Sequence, residues 1–173
     1  LKTSVLGGES FWINTFTAKE AGELALTGVQ LGDIDVLELK GEEMILQSGA
    51  YIASTEGTDI DTSWQGMRGL LGEGDIVMLK ASGTGKVWIS SFGALEKKEL
   101  KAGEKLVLDT GHAVAFSGAM NYNVRKVGGL KSTFLSGEGL VFDFVGPGTL
   151  YIQSRILSGF ARSLIPFLPK RSH

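Results

Sequence analysis

Leu1-Lys2-Thr3-Ser4-Val5-Leu6-Gly7-Gly8-Glu9 returns later in the chain as Leu130-Lys131-Ser132-Thr133-Phe134-Leu135-Ser136-Gly137-Glu138. A third version, Met67-Arg68-Gly69-Leu70-Leu71-Gly72-Glu73, stands between them, so the Gly-Glu pairs at Gly8, Gly72 and Gly137 are 64 and 65 residues apart. A period of this length marks one supersecondary unit used three times. A second match, Gly41-Glu42-Glu43-Met44-Ile45-Leu46-Gln47-Ser48-Gly49 with Gly103-Glu104-Lys105-Leu106-Val107-Leu108-Asp109-Thr110-Gly111, is offset by 62 residues and splits each unit into two halves. Residues 1–32 then hold only the second half of the first unit, 33–94 the second unit, 95–157 the third, and 158–173 a tail, all within one compact domain. A first half of unit one is expected ahead of Leu1, and with it anything that a leader there would encode.

The 173 residues include 25 glycines and three prolines, and most of the glycines punctuate short apolar runs. That spacing predicts an all-β protein. Val87-Trp88-Ile89, Leu150-Tyr151-Ile152 and Leu24-Ala25-Leu26 occupy equivalent places in the three units. Period-two alternation predicts three strands with the aliphatic pair on the core and Trp88, Tyr151 and Ala25 on the opposite face. The stretches before two of them, Ala81–Lys86 and Val145–Thr149, read as hairpin turns. Helical period is confined to Gly159–Leu168, where Phe160, Leu164, Ile165 and Phe167 form a short apolar face.

Composition excludes several classes. An apolar fraction of 43% and a mean hydropathy near zero describe an ordinary globular chain. The longest apolar tract, Leu164-Ile165-Pro166-Phe167-Leu168, falls far short of the ~20 residues a spanning helix requires. Seventeen basic and 19 acidic residues are mixed along the chain, which makes nucleic acid an unlikely partner, since phosphate neutralisation calls for a basic surface. With no cysteine there are no disulfides, thiolate nucleophiles or sulfur-ligated metals.

Candidate chemistry is sparse. Asp109-Thr110-Gly111 spells the aspartic protease triplet, but the equivalent Gln47-Ser48-Gly49 supplies no second carboxylate for a dyad; a strand-ending turn is the better reading. Ser82-Gly83-Thr84-Gly85-Lys86 lacks the first glycine and the final hydroxyl of a phosphate loop, and it leads into a strand. His112, opposite Ala50 in the preceding unit, cannot build a metal site without carboxylates brought from elsewhere, and capping a turn or touching a neighbouring subunit is its commoner use. Asp59, Asp61, Trp64, Gln65 and Arg68 share one connection and offer what a polar ligand pocket uses, or else turn caps and an ion pair. The recurrent glutamates Glu9, Glu42, Glu73, Glu104 and Glu138 argue for a turn role. Leu164, Ile165, Phe167 and Leu168, followed by Lys170-Arg171, form an apolar tail with a basic end, suited to a neighbouring subunit or, more weakly, to a membrane surface.

Taken in order, Gly7-Gly8-Glu9-Ser10-Phe11 with Asn14-Thr15-Phe16, Leu46-Gln47-Ser48-Gly49-Ala50-Tyr51, Trp64-Gln65-Gly66, Ser82-Gly83-Thr84-Gly85, Asp109-Thr110-Gly111-His112 and Val127-Gly128-Gly129-Leu130-Lys131-Ser132 resemble the altered-inheritance-of-mitochondria twenty-four family. The resemblance covers nearly the whole chain. It implies a double-stranded β-helix or β-sandwich, similar in fold to the tryptophan RNA-binding attenuation protein, with units about a pseudo-threefold axis. It also implies self-association but no established biochemistry. The attenuation protein's repeated basic residues have no counterpart here: Lys97-Lys98 has no basic equivalent in the preceding unit. Fold analogy alone carries no function.

The expectation is therefore an all-β, non-enzymatic, self-assembling protein of cytoplasmic location, a scaffold or small-ligand binding module. It needs no cofactor and no metal, and a homo-oligomer, a trimer first, is its expected partner. The weak ligand candidates are Trp64, Gln65, Arg68, Asp109 and His112. Nucleic-acid binding through outward Trp88 and Tyr151, and an enzyme using His112 with carboxylates, are the alternatives.

Overall fold

The computed structural model describes residues 2–6, 9–61, 77–127 and 139–169, with side chains from Ile13 onward. Thirteen strands and one short helix are found among them. A hairpin comes first, β1 (Lys2–Leu6) with β2 (Glu9–Ile13). Next are β3 (Ile34–Lys40), β4 (Met44–Gln47), a 3-10 turn (Ser48–Ala50), β5 (Tyr51–Ser54) and β6 (Thr58–Asp61). The long β7 (Met78–Ser90) follows. The same order then recurs as β8 (Leu95–Leu100), β9 (Lys105–Asp109), a 3-10 turn (Thr110–His112), β10 (Ala113–Ser117) and β11 (Asn121–Lys126), before β12 (Leu140–Val145) and β13 (Gly148–Gln153). The helix α1 (Leu157–Leu164) and a 3-10 turn (Ile165–Phe167) end the described chain, close to the helical stretch read from the sequence.

All named strand pairs are antiparallel. One path of strands runs β3-β7-β4-β10-β13-β8, with β5 and β6 also on β7, and a separate sheet runs β11-β12-β9. The first part of β7 pairs with β4 and β6, its second part with β3 and β5. In the later stretch those two jobs are divided: β12 pairs with β9 and β11, β13 with β8 and β10. Registers correspond as well, since Leu46 faces Leu79 as Leu108 faces Phe142.

The turn expected at Ala81–Lys86 is instead continuous strand, and this corrects the sequence reading. Gly83, at φ +97°, allows β7 to bend and change partners without breaking, as glycine does at sheet corners. A Cβ there would lie 2.3 Å from the Gly57 carbonyl oxygen, and Thr84 N–H donates to that same oxygen at 2.9 Å. The glycines serve a close backbone crossing. Only the counterpart at Gly146-Pro147 is a break between two strands.

Two apolar clusters make the core. One gathers Leu37, Leu39, Met44, Leu46, Leu79, Val87, Ile89, Val114, Ala115 and Tyr151; the other gathers Ile45, Met78, Phe116, Phe142, Phe144 and Leu150 among its members. The paired strands β4 and β10 contribute to both, which is why Met44-Ile45-Leu46 and Ala113–Phe116 are buried without alternation. A strand covered on both faces reads as a continuous apolar run. Tyr151 is a second correction: it is 7% exposed and belongs to the first cluster, because β13 too is covered on both faces.

Leu24–Leu26 is a third. The segment is not strand, and Leu24 and Leu26 are 59% and 48% exposed. Its equivalents pair with β3 and β5, or with β8 and β10, whereas Leu24–Leu26 is in none of the named strand pairs. Without a ladder partner an apolar triplet does not become a strand.

Candidate functional site

The recurrent Gly-Glu pairs resolve first, as turn chemistry. Glu42 Oε2 accepts from the Lys40 amide at 3.0 Å and Glu104 Oε2 from the Lys101 amide at 2.9 Å. The glycine ahead of each has positive φ, +102° at Gly41 and +77° at Gly103. Each glutamate closes the turn it sits in. Glu73 and Glu138 lie outside the described residues, as does the side chain of Glu9.

Asp109 and His112 bracket the second 3-10 turn. The Asp109 carboxylate accepts from the Gly111 amide at 2.9 Å, an Asx-type cap that fixes the end of β9. His112 Nδ1 lies 2.6 Å from the Gln153 carbonyl oxygen; the carbonyl can only accept, so Nδ1 carries the hydrogen and donates. Gln153, 5% exposed, completes a knot with both ends of its amide: Nε2 donates to the Gly111 carbonyl at 2.8 Å and Oε1 accepts from the Phe92 amide at 2.9 Å. Thr110 Oγ1 donates to the Leu140 carbonyl at 3.2 Å. One glutamine thus ties the 3-10 turn, the end of β13 and the β7–β8 connection together. Sequence reading missed Gln153, whose equivalents Ser90 and Thr27 gave no hint of an amide role.

Phe92 leads from this knot to the tail. Its ring lies 5.5 Å from that of Phe160 in α1, the aromatic contact that holds the helix to the strands. The other large apolar side chains of α1 and the turn after it stand in solvent: Leu157 is 67% exposed, Leu164 43%, Ile165 62%, Phe167 83% and Leu168 62%. On the neighbouring N-terminal segment the Leu31 carbonyl accepts from the Gly93 amide at 2.9 Å, which brings exposed Leu31 and Val29 to the same end.

Of the sequence candidates, the structure brings Asp109 and His112 to one turn and spends both on backbone contacts. Trp64, Gln65 and Arg68 lie outside the described residues. Asp59 and Asp61 sit on β6. Among the described residues no three His, Cys, Asp or Glu side chains stand close enough to hold a metal ion, and no helix is long and apolar enough to cross a membrane. Charge pairing is local. Glu43, 3.0 Å from Lys80 Nζ, raises the lysine pKa by hydrogen bond and charge, and Asp143, in a two-pronged contact with Arg125, does the same for the guanidinium. Burial raises the Tyr122 and Tyr151 hydroxyl pKa values.

Comparison with known proteins gives consistent relatives. An uncharacterized protein of Streptococcus pyogenes serotype M6 is 31% identical over 172 residues, 98% of this chain and 69% of its own length. A Streptococcus pyogenes protein solved by X-ray crystallography in a structural genomics programme superposes with a TM-score of 0.68 at 30% identity. That superposition covers 81% of this chain, and the chain spans 62% of the solved protein. The family model described as mitochondrial biogenesis AIM24 matches residues 1–155, and the chain belongs to that family.

Proposed function

We propose that the chain is a non-enzymatic, self-assembling β scaffold, built from three copies of one unit in a double-stranded β-helix about a pseudo-threefold, in the manner of the tryptophan RNA-binding attenuation protein. The observation that carries this reading is a burial mismatch between register-equivalent strands. Ile45 on β4 is 2% exposed, while Val107, 62 positions on and at the same place on β9, is 56% exposed. Every residue from Ala113 to Phe116 on β10 is buried, while its equivalents on β5 are half-buried throughout.

The difference lies in pairing. β10 lies against β4, with Ala115 opposite Leu46, Phe116 opposite Ile45 and Ser117 opposite Met44. Among the named strand pairs β9 has only β12 and β5 only β7. The two open edges are equivalents of the two edges that meet in the β4–β10 seam, so each fits what the other offers. A flat, apolar open edge is an invitation to further strands, and such a head-to-tail contact propagates or closes a ring. A scaffold that grows or closes through strand edges needs no catalytic group. His112 Nδ1 and the Asp109 carboxylate, both engaged by backbone, support that reading, and a small ligand would be its passenger.

Native mass spectrometry tests it. The wild-type chain is expected as an oligomer at micromolar concentration, and Val107→Lys, which puts a charge on the open edge without touching the core, is expected to return it to monomer with unchanged thermal unfolding. A monomeric wild type overturns the proposal, as does turnover of any substrate that disappears with His112→Ala.

A further inference from the structure

The charges, mixed along most of the chain, are one-sided at its C-terminal end. All 19 acidic residues lie at or before Asp143, whereas Arg155, Arg162, Lys170 and Arg171 are four of the 17 basic ones. Residues 1–143 therefore carry 13 basic against 19 acidic groups, formally −6, and residues 144–173 carry +4. The cationic part is also the part with the most exposed apolar side chains. Leu157, Phe160 and Leu164 recur at helical spacing along α1, and Ile165, Phe167 and Leu168 continue beyond it, every one of them at least 40% exposed.

We propose that this end of the molecule docks on an anionic lipid surface, with α1 and the turn after it lying in the interface. Apolar side chains that enter the boundary of the acyl region, on a stretch of chain that is net cationic in sequence, are the chemistry of a surface-lying amphipathic segment. Two observations favour lipid over a protein groove. First, the exposed apolar side chains are not a narrow stripe on α1 alone: Leu31, whose carbonyl accepts from the Gly93 amide beside Phe92, and Val29, 96% exposed, add to them from a second segment. Second, among the described residues the body of a second copy presents no cluster of exposed large hydrophobic side chains. Outside the N-terminal segment and the tail, the exposed large hydrophobic residues are Ile34, Val107 and Val127, which sit singly on β3, on β9 and after β11. The acidic body would be held off such a surface while the tail meets it, which orients the molecule.

Vesicle flotation tests this with the full chain. Binding is expected to vesicles of phosphatidylglycerol mixed with phosphatidylcholine, at least tenfold weaker to phosphatidylcholine alone, and weakened by raised salt. The double substitution Phe167→Glu with Leu168→Glu touches only exposed side chains and is expected to reduce the bound fraction at least tenfold without changing thermal unfolding. Val107→Lys is expected to bind vesicles like wild type, which separates this proposal from edge-driven assembly. Failure to float with anionic vesicles overturns it. So does binding indifferent to the double substitution, or a double variant that changes oligomeric mass in the absence of lipid, which would assign the tail to a second copy.

Discussion

Gln153 shows how much one side chain can hold when both ends of its amide and its own carbonyl are engaged. Replacing it with alanine leaves the Phe92 amide and the Gly111 carbonyl without their partner in a dry place, at about 1–3 kcal/mol for a group so stranded. Urea denaturation of Gln153→Ala is expected to show a loss of about 3 kcal/mol, accompanied by a changed His112 imidazole signal in the proton spectrum. Titration gives a second residue-scale expectation. Tyr122 and Tyr151 have raised pKa values because burial disfavours the phenolate. The unfolded chain then loses those protons first, so their contribution to stability is complete below about pH 10 and declines as pH rises through the folded values. Thermal unfolding followed from pH 8 to 11 is expected to fall above pH 10, and less steeply in Tyr122→Phe with Tyr151→Phe. Part of this scale was legible in advance: the recurrence of Glu42 and Glu104 identified turn glutamates. Gln153 was not legible, because its amide's partners are backbone groups of two other segments, the second 3-10 turn and the β7–β8 connection, which leave no pattern in side-chain identity.

Among elements, periodicity worked where one face of a strand meets water and failed where neither does. Leu150-Tyr151-Ile152 reads as alternating, yet both faces of β13 are covered, and Tyr151 belongs to the core rather than to a base-stacking platform. Ala81–Lys86 reads as a turn because glycines usually mark one; here they let β7 cross Gly57 closely and bend without ending. The triplet Leu24–Leu26 has a strand's sequence and no ladder. Local composition can nominate a strand, but a partner edge decides it. The aromatic cluster is the element-scale core of the later stretch, with Phe116 5.0 Å from Phe144 and 5.6 Å from Phe142 between ring centroids. Phe142→Ala, at a site with no exposed surface, is expected to cost about 3–5 kcal/mol, read as a lowered urea midpoint at unchanged slope. Hydrogen exchange gives the complementary test: amides of β4, paired on both sides, are expected to be protected well beyond those of β9.

For the whole molecule, the all-β class and the short tail helix could be read directly, since glycine punctuation and the absence of helical period are global properties of the chain. The meeting of β4 with β10 could not be. It joins residues about 70 positions apart, and no side-chain pattern announces which edges will touch. That seam has a further consequence. With Ile45 committed to one cluster and Leu46 to the other, the strands that join residues 33–94 to 95–157 are also those that complete each interior. Neither stretch owns a finished core, so cutting the protein between Phe92 and Leu95 is expected to yield two insoluble pieces rather than two small domains. What looks modular along the chain is therefore expected to melt and refold as a single thing.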